Sequence, residues 1–275
     1  MAVVDGVRLA YRSRGLGEPV VFLHGTPSHS FIWRKVLPSV EEEGYRVVAY
    51  DLLGYGRSER PVDRDTSVAG QAVLLDRLLT HLHIDEFNLV GHDIGGAIAQ
   101  IFATRQPHRL KRLMLIDTVS YDSWPSETWE RIIRERLDDS AAMPMEEFEA
   151  LLTRQLRMAV ADPARMSGDV LEAYLLPHRT RLGLVSFFEH QVRHYDSAYT
   201  QEIAPALGTL TMPVRILWGA EDQWQPASYG RRLAGDISTA ELTIVPEAGH
   251  FLMEDNDDRV VAEILDFLAE APADE

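Results

Sequence analysis

Short β-branched runs alternate with helical segments along most of this 275-residue chain, and that alternation limits what it can fold into. The runs are VRLAY (7–11), VVFLH (20–24), RVVAY (46–50), FNLVG (87–91), RLMLI (112–116), VRILW (214–218) and LTIV (242–245). Strands this continuously apolar are buried on both faces. Helical patterns over 31–43, 67–83, 95–105, 227–235 and 257–270 supply the cover, so the expected class is α/β, a mainly parallel sheet with helices on both faces. Functional groups are then expected at the carboxyl ends of the strands.

Residues 118–210 interrupt the pattern with helical character, many aromatic residues and prolines at 125, 144, 163, 177 and 205. They read as a helical lid inserted between two parts of one core, 1–117 and 211–275. Its place after the strand ending at Asp117 puts it over the strand ends, where it would enclose an apolar, water-limited cavity.

Composition excludes several function classes. With 27 Lys and Arg against 43 Asp and Glu, the formal charge is −16, which repels a nucleic-acid backbone or an anionic membrane surface. The acidic stretches 41–43 and 254–258 read as solvated faces. No cysteine is present, so disulfides and thiolate metal sites are excluded. The N-terminal MAVVDGVRLAYRSRG carries charges at residues 5, 8, 12 and 14 and lacks a signal-peptide apolar stretch, and no run approaches membrane-spanning length. A cytoplasmic location is expected. Monomer and homodimer fit the sequence equally.

The segment LVGHDIGGAIA (89–99) carries the chemistry. Gly91-His92-Asp93-Ile94-Gly95 has the G-x-S-x-G spacing of a nucleophile elbow, with aspartate in place of serine. Taken alone, Asp93 is as well suited to capping the helix that follows. Four further segments change the balance. VVFLHGTPSHSFIWRKV, AYDLLGYGRSERP, and the pair WGAEDQWQP and EAGHF, taken with the elbow, resemble the α/β-hydrolase fold across nearly the whole chain. The aspartate narrows the resemblance to the branch of epoxide hydrolases and haloalkane dehalogenases.

That resemblance implies a division of labour. Asp93, anionic at neutral pH, displaces a leaving group from a saturated carbon and becomes an alkyl ester. His250, in PEAGHFL, activates the water that hydrolyses the ester. Asp222, in WGAEDQW, orients His250, with Asp117 and Glu221 as the other candidate acids. The backbone N–H groups of Thr26 and Ile94 form the oxyanion hole. His24, Gly25 and Pro27 shape the HGTP turn, which is compatible with a cis peptide before Pro27. No cofactor or metal is required, and the expected partners are a small apolar organic substrate and water.

The leaving group separates the two activities. Haloalkane dehalogenases carry tryptophan after the nucleophile and often asparagine in the HGxP loop; this chain has Ile94 and Thr26, leaving Trp33 or Trp124 as candidate halide donors. Fluoroacetate dehalogenases place arginines just after the nucleophile, where Ile94 and Ala97 stand here. Epoxide hydrolases protonate the departing oxygen with lid tyrosines. Tyr121, Tyr174, Tyr195 and Tyr199 lie in the insertion, with Tyr195 and Tyr174 ranked first; SFFEHQ (186–191) has Phe187 and Phe188 where a tyrosine often stands. Epoxide opening is therefore expected, with haloalkane cleavage, ester or lactone hydrolysis, or non-catalytic ligand binding as alternatives. His190 and His194, four residues apart, and the HLH at 81–83 read as structural, and GYGRS (54–58) lacks a phosphate loop's third glycine.

Overall fold

The computed structural model describes residues 1–270. Among them nine strands form: β1 (Ala2–Val4), β2 (Val7–Leu9), β3 (Tyr11–Arg14), β4 (Pro19–Leu23), β5 (Arg46–Tyr50), β6 (Phe87–His92), β7 (Leu110–Ile116), β8 (Val214–Gly219) and β9 (Ala240–Val245). β3 to β9 build one sheet in the order β3-β5-β4-β6-β7-β8-β9, parallel except for the antiparallel edge pair β3–β5. β1 and β2 pair separately as an antiparallel ribbon. The expected single strand over 7–11 is thus two strands: the chain changes sheets at Ala10, as Leu9 pairs with Ala2 and Tyr11 with Tyr50.

The period-2 geometry of a strand explains why the central strands read as continuous apolar runs. Along β4, Val21 and Leu23 point into one hydrophobic cluster and Val20 and Phe22 into the other, on the opposite face. β6 is buried along all six residues, so the segment that delivers Asp93 is held between neighbours on both edges and both faces.

Helices α1 (Leu37–Glu42), α2 (Val68–His81) and α3 (Ile94–Arg105) follow the strands as expected. The helical pattern over 31–43 proves shorter: a 3-10 turn occupies Ser30–Trp33, and α1 begins only at Leu37, with Pro38 in its first turn. Ser67 caps α2, its hydroxyl accepting the Gly70 N–H at 3.2 Å. No helix is long and apolar enough to cross a membrane among the described residues.

Between β7 and β8 the helices run from Glu127 to Thr209 and, apart from Met145–Met158, are short, with π and 3-10 turns among the α turns. The amphipathic helix Met145–Met158 buries Phe148, Leu152 and Leu156, spaced by four along one face. These side chains join Trp33, Phe187, Phe188 and Phe251 in one cluster, so the insertion shares its core with the sheet's second face. Polar ties fix it further: Ser186 Oγ donates to the Gly54 carbonyl at 3.2 Å, and His178 Nε2 meets the Pro27 carbonyl at 3.3 Å. Glu254, expected in a solvated acidic face, is instead 2% exposed and chelated by the Arg34 guanidinium, with 2.5 and 2.7 Å contacts.

Candidate active site

β6 runs into α3 through a sharp turn at Asp93, whose φ of 54° and ψ of −122° are sparsely populated for a residue with a side chain. The flanking glycines make the turn possible. A Cβ on Gly91 would lie 2.6 Å from the Gly95 carbonyl oxygen, and one on Gly95 would lie 2.5 Å from that of His24. Asp93 makes no capping bond to α3. Its carboxylate turns away from the helix, and Oδ1 accepts the Thr26 N–H at 2.7 Å. Helix capping is therefore not what Asp93 does.

The HGTP turn carrying Thr26 is held by His24, which sits fully buried at the end of β4. Its Nε2 accepts the Leu52 N–H at 2.9 Å, which leaves Nδ1 protonated to donate to the Gly25 carbonyl at 2.8 Å. Burial pushes this histidine down to about 4, so it stays neutral and keeps that tautomer. The Thr26–Pro27 peptide is cis. Ile94 opens α3, where the leading N–H groups have no acceptor within the helix.

His250, on the loop after β9, lies between two carboxylates. Nδ1 is 2.8 Å from Asp222 Oδ2, and Nε2 is 3.4 Å from Asp93 Oδ2 without a well-formed hydrogen bond. Asp222 is held by the Trp224 and Gln225 N–H groups, which donate to Oδ1 at 2.7 and 2.9 Å. Burial alone would lower His250, but the charges of Asp222 and Asp93 outweigh it and hold the imidazole well above its ordinary range. Burial likewise works against the Asp93 anion, and contact with His250 reverses the sign and keeps Asp93 below the usual aspartate range. Both shifts favour an ionised Asp93 beside an imidazolium.

Above them lies a cavity of about 290 Å³, near the lower end for small-molecule sites. Its wall includes Thr26, Asp93, Ile94, Trp124, Tyr195 and Trp224. The Tyr195 hydroxyl sits 2.5 Å from Thr26 Oγ1, directly beside the amide that holds Asp93. Burial pushes its ionisation well above the ordinary tyrosine range, so the phenol is protonated across the working pH range.

Three of the expected leaving-group donors are elsewhere or engaged. Tyr174 is buried outside the cavity wall, and its hydroxyl donates to Glu254 Oε1 at 2.6 Å; the Arg34–Glu254 ion pair draws it there. Trp33 packs in the core against Phe22, with ring centroids 5.3 Å apart, and does not reach the cavity. Trp124 does line the cavity, but its indole N–H donates to Thr200 Oγ1 at 3.0 Å. Among the other candidates, Tyr121 donates to Asp236 Oδ2 at 2.7 Å and Glu221 is exposed. His190 spends both ring nitrogens on Ser186 and the Pro61 carbonyl.

Sequence reasoning passed over two residues. Trp224 lies against His250, ring centroids 4.8 Å apart, and its buried indole N–H has no acceptor among the described residues. Its position two residues after Asp222 was the available signal. His92, next to Asp93, donates from Nε2 to the His250 carbonyl at 2.9 Å and so anchors the loop that carries the imidazole.

Comparison with known proteins identifies the fold. The family model for the alpha/beta hydrolase fold matches residues 18–257. The chain belongs to the α/β-hydrolase family. Among solved structures, this hydrolase-fold chain superposes on an alpha/beta hydrolase fold protein from Burkholderia ambifaria with a TM-score of 0.90, at 33% identity and 96% coverage of both chains. Epoxide hydrolase CorEH superposes with a TM-score of 0.85 at 26% identity, covering 98% of this chain and 97% of that one. Haloalkane dehalogenase 2 of Mycobacterium bovis is 28% identical over 269 residues, spanning 94% of this chain and 91% of that protein.

Proposed function

We propose that this α/β-hydrolase opens epoxides through a covalent ester on Asp93. The observation that carries the reading is the phenol of Tyr195 standing beside the Thr26–Asp93 contact, a protonated donor where a departing alkoxide would form. Asp93 Oδ1 already occupies the oxyanion position, which leaves Oδ2 to attack. Attack forms the Oδ2–carbon bond and breaks a ring carbon–oxygen bond; the electron pair leaves on the ring oxygen, which takes the Tyr195 proton. Alkylation then removes the Asp93 charge that held His250 protonated, so the imidazolium gives up its proton, which restores the Tyr195 phenol, and the neutral imidazole can act as a base. It takes a proton from water attacking the ester carbonyl carbon, and the oxyanion accepts the N–H groups of Thr26 and Ile94. Cleavage of the acyl–oxygen bond releases the second oxygen as an alkoxide, which takes the remaining proton of the attacking water and frees a diol, leaving Asp93 ionised beside a reprotonated His250, with Asp222 holding the imidazole throughout.

A second reading, carbon–halogen cleavage, draws on Trp224, whose unpartnered indole N–H is a ready halide donor beside His250. A panel of alkyl and aryl epoxides, terminal bromoalkanes and activated esters, scored together for diol, halide and acid, separates the two. Diol formation is expected to dominate, and Tyr195→Phe should lower it by roughly 10²-fold while sparing any halide release. Faster halide release, unchanged in Tyr195→Phe and lost in Trp224→Phe, would support the second reading. No turnover across the panel would sink both in favour of ligand binding alone.

A further inference from the structure

The site holds one carboxyl group that the proposed chemistry does not use. Asp117 ends β7, fully buried, with its N–H donating to the Leu217 carbonyl at 3.0 Å and its Oδ1 accepting the Gly219 N–H at 2.9 Å. Its Oδ2 is buried and has no hydrogen-bond partner among the described residues. The carboxyl reaches within 4.8 Å of ring nitrogens of both His92 and His250, and the Asp222 charge faces it. The charged and titratable groups facing it are therefore Asp222 from the loop after β8, His250 from the loop after β9 and His92 from the end of β6.

The charges in this cluster do not balance if every carboxyl is ionised. Asp93 and Asp222 flank a single imidazolium on His250, and His92, pushed down to about 3 by burial, adds no positive charge. A third buried carboxylate would face Asp222 with no cation between them. Two buried carboxyl groups that face each other with no cation between them do not both ionise, so one keeps its proton. An ionised Asp117 would also leave Oδ2 without a donor, whereas a protonated one turns that oxygen into a donor toward Asp222.

We propose that Asp117 is an uncharged carboxylic acid whose O–H donates to the Asp222 carboxylate, making it a positioning residue that limits how strongly Asp222 holds the His250 proton. Burial, then the Asp222 charge, raise Asp117 well above the aspartate range, in the same direction. The catalytic consequence rests on His250 being the base of the proposed reaction; the protonation itself does not. Charge withdrawn from Asp222 keeps the imidazole from being fixed as a permanent cation, so that it gives up its proton once Asp93 is esterified. His250 is thus served by two acids, one ionised and one not.

Ring-nitrogen NMR of His250 in the substrate-free enzyme tests this without any assumption about the substrate. Asparagine at 117 keeps a donor toward Asp222 and an acceptor for the Gly219 N–H, so Asp117→Asn should leave the His250 titration in place. Asp117→Leu removes the donor, and the His250 titration should move up by about one pH unit. Infrared difference spectra at pH 7 should show a protonated carboxylic acid band in the wild type that Asp117→Asn and Asp117→Leu both lack. A His250 titration that falls by a unit or more in Asp117→Asn, with no acid band lost, would mean that Asp117 is ionised and would overturn the inference. If Asp117→Leu does not fold, the Asp117→Asn titration and the infrared band decide the matter. Failure of the epoxide reading would leave both signals unchanged.

Discussion

Asp93 is confined by a neighbour that has no side chain. A Cβ on Gly25 would lie 2.3 Å from the Asp93 Cβ and 2.5 Å from its Oδ1, so the HGTP turn can approach the carboxylate only with glycine at that position. Gly25→Ala should displace the carboxylate from the Thr26 N–H while leaving the sheet intact. Misplacing a reacting atom by about 1 Å costs on the order of 10²-fold in rate, and a loss of that size in ester formation, followed by rapid quench, is expected with unchanged circular dichroism. Alkylation of the Gly25→Ala variant at the wild-type rate would show that the Thr26–Asp93 contact does not position the nucleophile. At this scale the sequence was informative because Asp93, Asp222 and His250 each follow a strand end, and strand order brings those ends together. Tyr195 and Tyr174 could not be separated in advance: one meets Thr26 and the other Glu254, and that choice is made by tertiary contacts far apart in sequence.

Among the elements, the strands were legible because burial on both faces leaves continuous apolar runs, as in VVFLH and FNLVG. Two boundaries were not. VRLAY contains the point where the chain leaves the β1–β2 ribbon for the main sheet, and an extended run carries no mark of which partner each half will take. Residues 31–43 keep a helical period, yet Pro38 belongs in a first turn, and α1 starts there. The insertion was legible only as helical. Its α, π and 3-10 turns are set by aromatic contacts such as Phe148 with Phe187 and Trp129 with Tyr195, which local periodicity does not encode. Those contacts fix the cavity wall, and the wall fixes which leaving group finds a donor.

Over the whole molecule, buried neutral histidines tie stability to pH. Burial pushes His24, His92 and His178 down to about 4, 3 and 4, whereas each takes up a proton near 6.5 once unfolded. The unfolded chain then binds more protons than the folded one between these values, so each contributes stability that is present above about 6.5 and lost as pH falls toward 4. His250 has the opposite shift and is protonated in both states below 6.5, so it adds no slope there. Asp117, protonated when folded and ionised when unfolded, offsets one proton in the same window. A difference measurement isolates a single group. His178 meets the Pro27 carbonyl, and His178→Gln keeps a donor for it while removing the titration. The stability of wild type relative to this variant should fall by about 1.4 kcal/mol for each pH unit between about 6 and 4.5, as urea unfolding at each pH would measure. A constant difference would mean that His178 is protonated in the folded protein.

The covalent role of Asp93 is tested most directly by one turnover in water enriched in heavy oxygen, with excess enzyme over any panel substrate that reacts. Because water is expected to attack the ester carbonyl carbon, the label should enter the carboxylate of Asp93, read by mass spectrometry of the peptide that contains it, and the first product should be unlabelled. Labelled product with an unlabelled Asp93 would show that water attacks the substrate itself, and that Asp93 acts as a base rather than a nucleophile.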